Sequence, residues 1–467
     1  MDVIVSINDA INGFVWGAPA IILIMGVGLY LTIRLKGVQF RNWGFLIRNT
    51  YVKAFRKAKE SEDAVVEGEI TPFQAAMASV SAVVGSGNIA GVATAIFCGG
   101  PGALFWMIVA AIVGMATKFA EITLGIMYRE KREDGTFLGG PMYYIGKGLN
   151  APWLGKIVAV LFLFFSIVIS AVVDTNTISL AVQESFGVLP IITGIILAVL
   201  TAVVIFGGIK RIGEVCGILS PFMAGAYLLA GLLIIILNIQ AVPGAIAQIV
   251  TMAFKPSSIL GGGAGIGVMT VMRYGMARGI FSNEAGIGSA AVTHSAAKVD
   301  NPAEQALWGP LEVFVDTIVV CTITGLTIVL SGLWEAQELD GVALTMGAFQ
   351  KMLPGNWGQY IVLGAVVLFG FSCLITFYNY MEKGWAYLFG TKSFIVVRVL
   401  WIAFIIIGAF STLGFVWDLA DTCNGLIIIP NLIALVILAG KVVKNKEEFY
   451  DKELPKYKAE KAEKKNK

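Results

Sequence analysis

The sequence predicts an all-α integral membrane protein of 11 transmembrane helices, built as a 5+5 inverted repeat (spans 2–6 and 7–11) behind one extra N-terminal span. Three observations lead there. Of 467 residues, 57% are hydrophobic and only 14% charged, and the charges are bunched between long apolar runs, so no soluble surface can be assembled from them. Eleven windows reach the length of about 20 apolar residues that ~30 Å of hydrocarbon requires. Two of those windows carry clusters of Gly, Ser and Asn at mid-membrane depth, where lipid tolerates unpaired backbone least. The composition excludes a soluble enzyme. A net charge of +3 with no zinc-finger, phosphate-loop or basic-aromatic pattern points to no nucleic-acid partner. The 5 cysteines lie singly in apolar segments, which suggests neither a disulfide framework nor a metal centre, and no cofactor is indicated.

The windows run approximately 14–35, 70–98, 101–128, 156–185, 189–207, 212–239, 266–293, 308–332, 359–390, 394–412 and 415–440. The first follows Asp2 and Asp9 without a basic leader and is too long for a signal-peptide core, so residues 1–36 are expected to persist as the extra helix. In 37–69, apolar Phe40, Trp43, Leu46, Ile47, Tyr51, Ala54 and Phe55 recur every three or four positions opposite Arg41, Arg48, Lys53, Arg56 and Lys57. That pattern predicts a cytoplasmic interfacial helix on anionic headgroups, followed by a linker. Residues 70–240 form the first repeat and 241–440 the second, with the 333–358 segment closing the outer side. The tail 441–467 mixes Lys with Glu and is expected to be a solvated helix or a disordered end without function. Placing the N-terminus outside and the C-terminus in the cytoplasm puts 29 of the 34 Lys and Arg on the cytoplasmic side of the plasma membrane, as the positive-inside rule and an odd span count require.

The two clusters organise the functional reading. Residues 80–91 hold six Gly, Ser or Asn in twelve, and 279–290 hold seven polar or glycine residues in twelve. Both are expected to unwind, and paired breaks at corresponding places are the sequence pointer to a transport site. The breaks fall in spans two and seven, so two units of five follow, and an odd number per unit inverts the second. Close helix packing is the competing use of these glycines.

Gly85-Ser86-Gly87-Asn88-Ile89-Ala90-Gly91-Val92-Ala93, Gly139-Gly140-Pro141-Met142-Tyr143-Tyr144 and Phe281-Ser282-Asn283-Glu284-Ala285-Gly286-Ile287-Gly288-Ser289-Ala290 resemble the alanine or glycine:cation symporters, over essentially the whole chain. The resemblance implies a LeuT-like five-plus-five fold, a small neutral amino acid as substrate, and Na+, or in some members H+, as coupling ion. An alanine zwitterion needs donors for its carboxylate and acceptors for its ammonium. The half-helix beginning near Gly85, Ser86, Gly87 and Asn88 offers free N–H groups and a positive dipole end. The one ending near Phe281 and Ser282, followed by Asn283, Glu284 and Gly286, offers carbonyls.

Mapping the fold's second sodium site by resemblance places the carbonyls of Ser81 and Val84 opposite the hydroxyls of Ser372 and Thr376. Those hydroxyls share a helix face, and bonding back to the preceding turn is their ordinary alternative. Asn88 serves either as a first-site sodium ligand or as a cap. Glu284, a carboxylate costing at least about 2.5 kcal/mol at mid-membrane, either organises the first turn of the second half-helix or partners a cation. Glu312 and Asp316, four apart on span eight, are candidates for an ion relay, for pairing with Lys118 or for lining the inner vestibule. Asp174, near Asn176, is placed in the outer path, and Arg278, after Arg273, at an outer gate. His294 is expected in a cytoplasmic loop. The function implied is sodium-coupled import by alternating access, with spans two, three, seven and eight rocking against the rest. A proton-coupled symporter and a Gly-lined channel stand as alternatives, and the oligomeric state is undetermined.

Overall fold

The computed structural model describes residues 2–54, 68–133, 135–255, 267–355, 357–411 and 413–465. It is helical, with one hairpin pairing β1 (Glu130–Lys131) with β2 (Phe137–Leu138). The chain opens with α1 (Asp2–Val15), α2 (Ala18–Arg34) and α3 (Trp43–Ile47), then a broken helix of α4 (Pro72–Val83) and α5 (Gly87–Gly99), bent by 45°. There follow α6 (Gly102–Met127), the short α7 (Pro141–Tyr143), α8 (Pro152–Phe186), α9 (Pro190–Ile205), α10 (Gly208–Leu237) and α11 (Val242–Phe254). A second broken helix consists of α12 (Val268–Asn283) and α13 (Ser289–His294). The chain ends with α14 (Pro302–Ser331), α15 (Gly341–Met352), α16 (Gly358–Phe389), α17 (Phe394–Ala409) and α18 (Leu413–Lys465).

Among the described residues, six helices are long and apolar enough to cross a membrane, or seven with α4 and α5 counted as one bent span; α2, α9, α11 and α17 are apolar but shorter. Helix occupies each of the eleven windows, although positions 266 and 412 at window ends lie outside the described residues. Four elements were not anticipated as separate helices: α1, α7, α11 and α15. The lipid-facing character of the bundle shows in α9, α10 and α17, which turn Ile196, Leu229 and Val399 outward while their backbones are satisfied internally.

Local chemistry explains where the two broken helices begin and how they pair. Thr71 and Gln74 form a reciprocal capping box, with Thr71 N donating to Gln74 Oε1 at 3.0 Å and Gln74 N to Thr71 Oγ1 at 3.2 Å, and Pro72 occupies the first turn. The start of α4 meets the end of α13 at one end of the bundle, here the lower end: Glu69 N and Ile70 N donate to Ala296 O at 2.8 and 3.2 Å, and Lys298 N donates to Ile70 O at 2.8 Å. The end of α5 lies beside α12 at the opposite, upper end, where Gly99 abuts Tyr274. The two broken helices therefore run antiparallel. α8 and α14 each widen into π turns, over Ile167–Asp174 and Phe314–Cys321, a device that re-aims side chains inside a helix.

Two expectations at the lower end need correction. The segment around α3 was expected to lay its apolar face on headgroups, but Phe45, Leu46 and Thr50 are fully buried against protein, and only Phe40, Ile47 and Val52 remain apolar and exposed. Phe55, Arg56 and Lys57 of that pattern lie outside the described residues. The covering surface is the charged tail, which continues α18 as a helix and presents Phe449, Tyr450 and Tyr457 to Phe45 with ring centroids at 6.0, 5.0 and 5.7 Å. The period of the tail's aromatic residues, hidden among its charges, is what the charge pattern concealed. Arg48–Glu460 and Lys36–Glu447 flank this contact as exposed pairs, weak because solvent screens them, so the ring packing dominates. Phe45→Ala, a fully buried aromatic truncation of about 3–5 kcal/mol, should lower the unfolding temperature of the purified protein by several degrees, whereas Glu460→Ala should leave it nearly unchanged in the same melt.

Candidate functional site

The second break is held open by side chains that take its backbone donors. Glu284 N closes α12 on Ile280 O at 2.8 Å. A continued helix would give the next two N–H groups to the carbonyls of Phe281 and Ser282. Instead Ala285 N donates to Asn283 Oδ1 at 3.0 Å and Gly286 N to Glu121 Oε1 at 2.9 Å. The Phe281 and Ser282 carbonyls thereby lose their helical donors. Asn431 of α18 fastens the segment from the other side, its Nδ2 donating to Gly286 O and to Glu121 Oε1, both at 2.8 Å, while Tyr144 OH donates to Asn431 Oδ1. Positive φ angles at Glu284 (55°) and Gly286 (102°) keep the chain out of the helix. Glu284 accordingly ends α12; it does not open the second half-helix, which starts five residues later at Ser289, and its Oε2 accepts from the Ser289 hydroxyl.

The first break is stitched in the complementary way. Asn88 Oδ1 accepts from Gly85 N at 2.9 Å, reaching back across the break. Its Nδ2 donates to Asp316 Oδ1 at 2.6 Å and approaches Asp316 O at 3.2 Å. Asp316, on the π-turn stretch of α14, also accepts through Oδ2 from Ser282 Oγ at 2.9 Å and Thr317 Oγ1 at 2.7 Å. One buried carboxylate thus receives hydrogen bonds from both breaks. The breaks also touch directly, since a Cβ at Gly87 would lie 2.9 Å from the Phe281 ring and 3.2 Å from Ser282 Cα.

The carbonyl end of α4 is covered by α16. Ser372 Oγ donates to Ser81 O at 3.0 Å, and Cys373 Sγ reaches Ser81 O and Ala82 O at 3.4 and 3.2 Å. Thr376 bonds back to Ser372 O at 3.0 Å, and Val84 follows α4 in a non-helical conformation. Ser81 and Ser372 are therefore in contact, with Thr376 one turn along the same helix.

Charge is unevenly distributed around the breaks. Glu121, Asp174, Glu284, Glu312 and Asp316 are all buried there, with Lys118 as the one buried ammonium among them. Lys118 Nζ donates to Asn283 O at 2.9 Å, at the carbonyl end of α12, and lies 3.5 Å from Glu312 Oε2. Arg278 is occupied elsewhere, in a bidentate pair with Asp421 at 2.7 and 2.9 Å, and stacks over Trp417 at 4.7 Å. These groups, with Arg273, Tyr274 and Asp340, line a cavity of about 790 Å³ at the upper end that reaches Ala90 of α5. At the lower end Arg129 Nη1 donates to Ser295 O and Ala297 O at 2.9 and 2.7 Å, Phe137 N donates to Glu69 Oε1 at 2.7 Å, and Lys383 Nζ donates to Phe137 O at 2.8 Å, while a second cavity of about 580 Å³ lies beside Thr71, Gln74 and Lys298.

Several sequence expectations shift. Asp174 lies at the first break, accepting from Ser86 Oγ at 2.5 Å, so a protein carboxylate sits where free N–H groups were expected to await a substrate carboxylate. Its neighbour Asn176 binds Gly408 O and Ser411 O at 3.2 and 2.7 Å, a helix-bracing role. Glu312 and Asp316 serve different clusters, because Glu312 faces Ser79, Lys118 and His294 whereas Asp316 joins the breaks. His294 is fully buried at the end of α13, not in a loop. Glu121, Asn431 and Asp421 escaped the sequence analysis, and their only signal was a polar residue inside an apolar window. The glycines separate as well. Gly85→Ala would set its Cβ 2.5 Å from Cys373 Sγ, and Gly286→Ala would force a positive φ, whereas a Cβ at Gly91 meets only Arg278 Cδ at 3.9 Å. Gly91→Ala should therefore keep the wild-type melting temperature and ligand affinity, while Gly85→Ala and Gly286→Ala should lose affinity at least tenfold, as measured by ligand-induced thermal shift.

Comparison with known proteins agrees along the full length. The family model for the sodium:alanine symporter family matches residues 1–465. The chain is 44% identical to the sodium/alanine symporter AgcS of Methanococcus maripaludis, over 95% of this chain and 97% of that protein. It is 39% identical to the amino-acid carrier protein AlsT of Bacillus subtilis (94% and 91% covered) and 39% identical to the probable sodium/glutamine symporter GlnT of the same organism (92% and 87%). Among solved structures, a sodium-coupled sialic acid symporter in a substrate-bound outward-open state superposes with a TM-score of 0.56 at 13% identity, covering 88% of this chain and 86% of that one, a likeness of fold. With the family model spanning both helix breaks and every buried carboxylate around them, the chain belongs to the sodium:alanine symporter family.

Proposed function

We propose that the protein is a sodium-coupled symporter that imports alanine, glycine or a similarly small neutral amino acid across the plasma membrane by alternating access. The observation that carries this reading is Asp316, a buried carboxylate hydrogen-bonded from Asn88 of the first break and Ser282 of the second. An ionised carboxylate in that position is stable only beside a cation. With five buried carboxyl groups around the breaks and one ammonium among them, sodium and the substrate ammonium supply the missing positive charge. The Phe281 and Ser282 carbonyls accept from the ammonium. The close approach of Gly87 to Phe281 and Ser282 keeps the space between the breaks narrow, which favours a small substrate. A second sodium lies between the carbonyls of Ser81 and Val84 and the hydroxyls of Ser372 and Thr376.

The antiparallel course of the two broken helices supports the 5+5 inverted repeat and the count of 11 spans. With the N-terminus outside and the C-terminus in the cytoplasm, the upper cavity is the outer vestibule, gated by Arg278 and Asp421, and the lower hydrogen bonds of Arg129, Glu69 and Lys383 are the closed cytoplasmic gate. On this reading the conformation faces outward.

Purified protein in liposomes tests the proposal. Radiolabelled alanine uptake should require an inward sodium gradient; uptake indifferent to sodium, or driven by a proton gradient alone, would overturn it. Asp316→Asn should raise the sodium concentration for half-maximal uptake at least tenfold without loss of folded protein. Glu284→Gln should fold and lose most uptake, and wild-type transport in that variant would remove Glu284 from the site.

A further inference from the structure

His294, the single histidine of the chain, takes no part in the sodium and amino-acid contacts assigned above. Its ring is engaged on both sides: Nε2 lies 2.8 Å from Glu312 Oε1, and Nδ1 lies 2.9 Å from Gln305 Nε2. The second contact fixes the tautomer, starting from a backbone carbonyl. Gln305 Nε2 also donates to Pro72 O at 3.0 Å. A carbonyl oxygen only accepts, so the amide nitrogen faces Pro72, and its remaining N–H is aimed at Nδ1. Nδ1 is then an acceptor without a proton, and the ring's one N–H sits on Nε2 and donates to Glu312. An imidazolium would set N–H against N–H and break the amide's bond to Pro72.

Glu312 transmits this constraint. Its Oε2 accepts from Ser79 Oγ at 2.8 Å and faces Lys118 Nζ at 3.5 Å, and Lys118 donates to Asn283 O at 2.9 Å. A chain of contacts therefore runs from the half-buried Pro72 at the start of α4 through the buried Gln305, His294, Glu312 and Lys118 to the second break. Removing the Nε2 donor leaves Glu312 Oε1 unpaired in a dry environment, and the carboxylate recovers a partner by turning toward Lys118, which draws the ammonium off the Asn283 carbonyl.

We propose that His294 is a positioning residue: a neutral donor of fixed tautomer that holds Glu312, and through it Lys118, on the carbonyl end of α12 beside the amino-acid site. This rests on the transport reading for its kinetic readout, and the experiment carries a second readout that does not. In liposomes, His294→Ala should raise the half-saturation concentration for alanine about fivefold or more with a smaller change in maximal rate. His294→Gln, whose amide offers a donor to Glu312 and an acceptor to Gln305, should restore it to within about twofold. His294→Asn replaces the alanine variant if the latter is not recovered folded. An unchanged half-saturation in the alanine variant, or failure of glutamine to rescue in folded protein, overturns the proposal. In parallel, melting temperatures of His294→Ala, Glu312→Gln and the double variant should be strongly non-additive, the double variant lying close to the worse single one. Additive shifts overturn the chain whatever the substrate. A wild-type protein that takes up no alanine with sodium, yet shows non-additive melting, overturns the transport reading and sustains the positioning chain.

Discussion

The structure turns on one constraint: the backbone groups released by two helix breaks lie where hydrocarbon offers no water, so protein must satisfy them. The polar side chains at the site follow from that requirement. Asn283 and Glu121 take the N–H groups of Ala285 and Gly286; Lys118 takes the Asn283 carbonyl; Asn88 takes the Gly85 N–H; Ser372 and Cys373 cover Ser81 and Ala82. The carbonyls of Phe281 and Ser282 are the groups whose helical donors these substitutions divert. On the proposed reading these two carbonyls are the acceptors for the substrate ammonium.

These contacts fall into two sets with different mechanical meaning. Lys118, Glu312, His294, Gln305 and Ser79 link α4, α6, α13 and α14 to one another. Each of these side chains is fully buried, so breaking a link strands a polar group at a cost of about 1–3 kcal/mol. Such a set suits a unit that moves as one body. Arg278 with Asp421, Asn431 with Glu121 and Gly286, and Lys383 with Phe137 instead join the broken helices and their neighbours to α18 and α16. Motion of spans two, three, seven and eight against the rest would have to exchange these contacts, and the cavity beside Arg278 leaves that pair room to part.

The helical membrane class and the places where two helices unwind were legible in the sequence, because apolar length and mid-window Gly, Ser and Asn are local signals. Asn88, Ser282, Asn283 and Glu284 were legible for the same reason. Glu121, Asn431 and Asp421 were not. Each lies in an otherwise apolar window on a helix distant in sequence from the breaks, and only the fold brings it to them. Asp174, at the end of the π-turn stretch of α8, meets Ser86 of the first break, a pairing of residues 88 positions apart that only the fold reveals. The apolar stripe around Phe45 was assigned to lipid because its true cover, Phe449 to Tyr457, lies about four hundred positions away in a segment whose charges mask its aromatic spacing.

Asp316 also explains how two solutes would be coupled on the proposed reading. A cation on that carboxylate acts on Asn88 and on Ser282 together, since both donate to it. On that reading, filling the cation site changes the electrostatics of both breaks at once, including the half-helix whose carbonyls receive the substrate ammonium. Linkage makes the effect reciprocal: whatever factor sodium contributes to amino-acid affinity, the amino acid contributes to sodium affinity. One sodium charge falling through 100 mV releases about 2.3 kcal/mol, enough for roughly fifty-fold accumulation. That gradient is harvested only if reorientation requires both solutes. On the proposed reading, a single carboxylate gripped from both breaks ties their movement to the charge placed between them.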